Sequence, residues 1–190
     1  MMNKITVFVL AVCVLNILVY YLNPQPGSLT LDSESGLREP WRLLSYQFQH
    51  VSLNHLVENI MGLCLVGFIA READIAYTEF LQVYLMSVFV VLPFVFFVFP
   101  GDVVAGNSSG IYGLLSFSLV RERRIIPLYF SLPVFAVVMF ISPLLSVFSA
   151  GVLVMRQLQS SIYHFIGFLS GVGSCYIFGR RSSKRVLREV

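Results

Sequence analysis

The sequence predicts an all-α membrane protein, a compact bundle of six transmembrane helices forming a single domain over residues 1–190. Three observations carry that reading. The chain is 57% hydrophobic and 12% charged, with a mean hydropathy of +0.80, which leaves too little polar surface to clothe a soluble globule. Its apolar residues gather into runs near the ~20 residues that a helix needs to cross a bilayer. Its thirteen Lys and Arg residues sit at the ends of those runs, ten on one side of a six-span arrangement and three on the other.

The first span is Ile5–Leu22. Lys4 ahead of it fits a secretory signal, but the run is longer than an h-region and lacks a small-x-small cleavage site, so it reads as a retained helix. The polar stretch Asn23–Asn54 follows as a long outside loop, opening with Asn-Pro-Gln-Pro-Gly and carrying Asp32, Glu34, Arg38 and Glu39. A connection of that length without structure is usually functional or a linker. Its second half, Trp41 to Phe48, is amphipathic enough to lie in the interface with Trp41 as an anchor.

The second and third spans are His55–Ala70 and Tyr77–Phe99. The fourth, Ser108–Val120, is short and begins with Gly106-Asn107-Ser108-Ser109-Gly110 after Pro100-Gly101-Asp102. Irregular backbone at membrane depth survives only beside protein or a water-filled cavity, so this start is expected to lie below the surface in a wet pocket. The fifth and sixth spans are Ile125–Phe148 and Ser161–Phe178, and a basic tail over 179–190 follows as a topology anchor for anionic headgroups.

Lys4, Arg71, Arg121, Arg123, Arg124, Arg180, Arg181, Lys184, Arg185 and Arg188 share one side, against Arg38, Arg42 and Arg156 on the other. The positive-inside rule then puts both termini in the cytoplasm. The expected location is a cell membrane, taken as prokaryotic, crossed several times. The partner implied is the lipid bilayer and not nucleic acid, because the basic residues follow topology rather than gathering on one face. Cys13, Cys64 and Cys175 fall one each in three spans, without CxxC spacing or a disulfide framework, and read as inert packing residues. No metal or cofactor is expected.

Polar side chains inside spans are expensive and turn toward the bundle interior or a cavity. His55 and Asn59 are four apart and share a helix face, Ser108 opens the fourth span, and His164 opens the sixth. Each alone is accounted for by interhelical hydrogen bonding. Together they are the parts of an acyl-transfer site: a hydroxyl nucleophile, an imidazole base whose pKa suits proton transfer near neutrality, and donors for an oxyanion. His164 shares a helix face with Gly167 and Gly171, and the fourth span carries Gly106, Gly110 and Gly113. Close helix packing through small residues would bring Ser108 and His164 together; packing without chemistry explains those glycines equally well.

From Trp41 to Gly171 these residues resemble the rhomboid protease family. Trp41-Arg42, then His50-Val-Ser-Leu-Asn-His55-Leu-Val-Glu-Asn59, is similar to its Trp-Arg element and His-x4-His-x3-Asn pattern. Gly106-Asn107-Ser108 with Tyr112-Gly113 is similar to the nucleophile motif and its aromatic-Gly pair, and His164-Phe-Ile-Gly167-Phe-Leu-Ser-Gly171 to the His-x2-Gly-x3-Gly of the last helix.

The resemblance implies a six-helix bundle with a water-accessible active site below the outer surface, hydrolysing transmembrane protein substrates. Ser108 would be the nucleophile and His164 its base, with no third acid, unlike the Ser-His-Asp template. His55, Asn59 and the Ser108 backbone N–H would bind the oxyanion, Tyr112 would hold the His164 ring, and Gly106, Gly167 and Gly171 would support the site. His50 would be structural.

Two positions depart from the family pattern. Ser109 stands where Gly usually follows the nucleophile, so a rival register makes Ser109 the nucleophile; Ser108 is preferred because only its register puts Gly two before it and Tyr112-Gly113 four and five after. Glu58 stands where an apolar residue usually lines the substrate gate, and a snorkelling carboxylate also accounts for it. The competing function is a proteolytically silent rhomboid-like protein that binds transmembrane helices in quality control or trafficking; retention of Ser108, His164, His55 and Asn59 argues for the protease. A small transporter would need inverted repeats or paired broken helices, and neither is visible.

Overall fold

The computed structural model describes residues 3–23, 25, 27–122 and 127–186. Among them every regular element is helical, and the one extended pairing is the isolated bridge of Leu31 with Val104. Helix α1, Lys4–Leu22, starts where the Asn3 side chain accepts from the Ile5 N–H at 2.8 Å. It belongs to the bundle: Ile5, Val9, Val12 and Cys13 lie in the main core, and Val9 meets the backbone of Gly67.

The loop between α1 and the next long helix is more ordered than a structureless connection. It contains α2, Ser33–Arg38, closed by a capping box from Asp32, then α3, Arg42–Ser45, and a short 3-10 turn over Tyr46–Phe48. Arg42 organises it, pairing with Glu39 at 2.7 Å and donating to the carbonyls of Gly27 and Thr30 at 3.1 and 2.9 Å. Trp41 is exposed, as an interfacial anchor would be, whereas Tyr46 is fully buried and donates to the Val88 carbonyl at 2.6 Å.

Helix α4, Leu53–Glu72, is capped by Ser52, whose hydroxyl accepts from the His55 N–H. Helix α5, Tyr77–Phe89, gives way near Pro93, which has no N–H to continue the ladder, to a single π turn over Phe94–Val98. Helix α6, Ser108–Arg121, is the central element and packs most closely on α8 and α5. Helix α7, Leu128–Ala150, contains Pro133 and Pro143 and ends on Gly151 at φ +66°. Helix α8 is Met155–Val186.

Among the described residues, five helical stretches are long and apolar enough to cross a membrane: Lys4–Leu22, Leu53–Glu72, Tyr77–Val98, Tyr129–Ser149 and Met155–Phe178. The expected fourth span, Ser108–Val120, is not among them. Helix α6 has 14 residues, about 21 Å at 1.5 Å per residue against a hydrocarbon core of ~30 Å. The last helix also begins earlier than expected, so His164 lies in its third turn rather than at its start. Arg123, Arg124, the first residues of the expected fifth span and the end of the basic tail lie outside the described residues.

The bundle has two distinguishable ends. At one, Arg71 donates to Thr6 beside Lys4, and Arg121 faces Glu79 at 3.6 Å. Arg156 lies at the other end, lining a cavity with Val51, Ser52 and Ser108.

Candidate active site

The segment before Ser108 is turned by two glycines in the left-handed region, Gly101 at φ +90° and Gly106 at φ +94°. It is tied to the loop that follows α1 by paired bonds between Leu31 and Val104, 2.9 and 2.8 Å, and by the Gly106 N–H on the Tyr46 carbonyl at 2.9 Å. Glycine is required at 106 for a second reason: a Cβ there would stand 2.7 Å from His55 Cε1 and 2.9 Å from its Nε2. The bare backbone therefore rests against the His55 ring and brings α4 to the start of α6.

Ser108 is the first helical residue of α6. The first N–H groups of a helix have no partner within it, and they carry the positive end of the helix dipole. Below Ser108, the fully buried Asn107 donates to the Tyr84 hydroxyl at 3.3 Å, and Tyr84 donates to Gln47 Oε1 at 2.9 Å. This chain pins the turn to α5 and the loop. Sequence reasoning passed over Tyr84, Gln47 and Tyr46. The available signal was Gln47, a polar residue set between the aromatic residues Tyr46 and Phe48.

Helix α8 reaches the site through glycines. A Cβ on Gly167 would collide with the Ser109 backbone, its Cα 2.8 Å away, and one on Gly171 would collide with the Gly113 carbonyl. The Ser116 hydroxyl bridges the same seam, donating to the Phe168 carbonyl at 2.6 Å. With the helices in backbone contact, the half-buried His164 ring stacks on Tyr112, centroids 4.7 Å apart and planes 29° apart.

Ser108 and His164 line the same two cavities. One, of about 390 Å³, is the more polar and includes His55, Glu58, Asp102 and Arg156. The other, of about 230 Å³, is largely apolar and includes Asn59, Tyr112 and Leu65. Asn59 is 3% exposed and donates one amide hydrogen to the His55 carbonyl at 2.9 Å, and its amide nitrogen carries a second hydrogen to donate. Ser109 lines neither cavity; it is buried and meets the Tyr46 phenol. Gly106, Gly167 and Gly171 are backbone contacts rather than cavity walls.

His50 lies behind the site, outside the spans. It is 2% exposed, its Nδ1 is 3.1 Å from the Phe48 carbonyl, and its ring centroid is 5.0 Å from that of His55. Burial, aided by the neighbouring His55, pushes its pKa down to about 4, so it is neutral.

A family model of the Rhomboid domain matches residues 37–181. The chain belongs to the rhomboid family. It is similar to Rhomboid-related protein 1 of Caenorhabditis elegans, 34% identical over 77 residues that cover 40% of this chain and 21% of that protein. The chain thus spans about a fifth of that relative's length, and no solved structure matches.

Every site residue of this rhomboid lies inside the matched range, whereas α1 lies outside it and joins the fold through its packing on α4. Family membership and five apolar helices of spanning length make the rhomboid a multi-pass integral membrane protein in a lipid bilayer.

Proposed function

We propose that this rhomboid is an intramembrane serine protease acting through Ser108 and His164. The observation that carries the reading is their common placement on two cavities at the start of α6, with His55 and Asn59 on the facing helix. His164 takes the proton from the Ser108 hydroxyl as its oxygen attacks the scissile carbonyl carbon. The carbonyl oxygen becomes an oxyanion, bound by the Ser108 backbone N–H, His55 and Asn59. When the tetrahedral species collapses, the C–N bond breaks and His164 returns the proton to the leaving amine. Water then repeats the sequence on the acyl-enzyme and frees Ser108. Among the described residues no carboxylate is bonded to His164; Tyr112, stacked on it, holds the ring.

The substrates are transmembrane protein segments. Helix α6 is read as a sixth, short span within one domain, its N-terminus below the outer surface so that water reaches Ser108 from that side. Both termini are read as cytoplasmic, from the partition of basic residues. The relative is a nematode protein, so a prokaryotic source rests on the sequence reading alone.

A fluorophosphonate probe on the detergent-solubilised protein, with mass spectrometry of the modified peptide, tests the dyad. Ser108 is the expected adduct, and Ser108→Ala and His164→Ala are each expected to abolish labelling and cleavage. An adduct on Ser109 moves the nucleophile. A folded wild type that neither labels nor cleaves is the silent rhomboid-like protein. Cysteine-accessibility labelling that found the tail over 179–190 outside would reverse the orientation.

A further inference from the structure

One charged side chain enters every described cavity that reaches His164. Glu58 follows His55 by three residues on α4 and lines the 390 Å³ cavity, the 230 Å³ cavity and a third of about 850 Å³ bounded by α4, α7 and α8. In the 230 Å³ branch it is the one carboxylate, and Leu65, Val66, Ile111, Phe135 and Val138 make the surroundings apolar.

No cation of the described residues is paired with it. The ion pairs are Arg38 with Glu34, Arg42 with Glu39 and Arg121 with Glu79, and Arg156, which shares two of the cavities, is not bridged to Glu58. Asp102, the other acid on the 390 Å³ cavity, is engaged differently, accepting from the Val103 N–H at 3.0 Å beside Tyr163. Glu58 instead shares its cavities with His55, Tyr112 and His164, inside the site. Glu58 is exposed near the start of α4, so its charge is open to whatever enters these cavities, and a carboxylate beside apolar surface is stabilised by a cation that meets it. The branch therefore offers an apolar channel for a long stem and an unmatched negative charge for its head, the two halves of a Lys or Arg side chain.

We infer that Glu58 sets substrate specificity, pairing with a Lys or Arg side chain beside the scissile peptide and so selecting transmembrane segments that carry a basic residue next to the cleaved bond. The inference rests on the protease reading for the word cleaved, but the selectivity is a property of binding and is measurable without turnover. A charge pair of this kind corresponds to about a tenfold preference.

The test uses one transmembrane peptide with Lys, Gln, Leu or Glu placed in turn at the residues flanking the cleaved bond. Binding to the full-length Ser108→Ala protein in detergent and cleavage by the wild type are both measured. The Lys peptide is expected to bind and react about tenfold better than the Gln peptide. Glu58→Gln should level the two, Glu58→Asp should keep the order, and Glu58→Lys should favour the Glu peptide. Probe labelling of Ser108 in each variant reports an intact site.

Equal binding of the Lys and Gln peptides by the unaltered Glu58, or a Lys preference that survives Glu58→Gln, overturns the inference. Selective binding without cleavage or labelling overturns the protease reading and leaves the selectivity standing. Cleavage without selectivity does the reverse.

Discussion

Helix α8 presents two faces that are built differently. Toward α6 the contact is backbone on backbone: Gly171 meets the Gly113 carbonyl, Gly167 meets the Ser109 backbone, and Ser116 bonds across to Phe168. Toward α7 it is side chain on side chain, with Phe135 against Phe168 at 6.3 Å, Phe140 against Phe165 at 5.9 Å, and Met139 among them. The first interface has no room for an added atom. The second is made of rings and a thioether that can change rotamer and repack. The seam that sets the distance from Ser108 to His164 is thus the stiff one, and the cavity wall opposite it, formed by α7, is the adaptable one.

The contrast breaks most sharply at the seam. Gly171→Leu is expected to cost well above the ~1–3 kcal/mol of ordinary overpacking, because backbone and not a flexible side chain stands in the way; thermal unfolding in detergent and probe labelling should both collapse. Phe140→Ala, on the α7 face, should cost less than the ~3–5 kcal/mol of a fully buried Phe→Ala, since Phe140 is half-buried. It should also keep labelling. Comparable losses from the two substitutions would show the faces to be alike.

Asn59→Ala asks whether the facing helix contributes chemistry or only packing. As an oxyanion donor its loss should lower cleavage on the order of 10²- to 10³-fold with the fold retained. A lowered unfolding temperature with unchanged turnover per folded molecule would assign Asn59 to packing instead.

A smaller effect is expected from pH. His50 is held neutral with a pKa of about 4, below its ordinary 6.5. Between those values the unfolded chain binds a proton that the folded chain refuses, so folding stability falls as pH drops from about 6.5 toward 4 and is complete above 6.5. Thermal unfolding from pH 8 to 4 should show that decline, and His50→Gln should reduce it. An unchanged profile in the variant would assign the decline to other groups.

The smallest effect should be that of Ser109→Gly. Its hydroxyl faces Tyr46 and neither cavity, so cleavage should stay near the wild-type rate or rise. Loss of labelling in Ser109→Gly, with Ser108 intact, would undo the choice between the two serines.

The apolar runs by themselves determined that lipid is the solvent, where the long helices lie, and that α4, α6 and α8 carry the polar groups worth examining. The His-x4-His-x3-Asn, Gly-x-Ser and His-x2-Gly-x3-Gly spacings named His55, Asn59, Ser108 and His164 before any packing was known. Ser108 and Ser109, by contrast, were separable in the sequence only by motif register. The structure separates them by orientation: adjacent helical residues point about 100° apart, and the turn pinned by Asn107, Tyr84 and Gln47 sends Ser108 to the cavities and Ser109 to Tyr46. Only packing could show that the short α6 is the central helix, that His164 sits in the third turn of α8, and that Glu58 opens onto each cavity around it. The physical reason is that a lipid-facing side chain and a buried one are equally apolar. Periodicity that marks the inward face of a helix in water loses its contrast here, and the faces are chosen by the glycine contacts and polar bonds that form only when the helices meet.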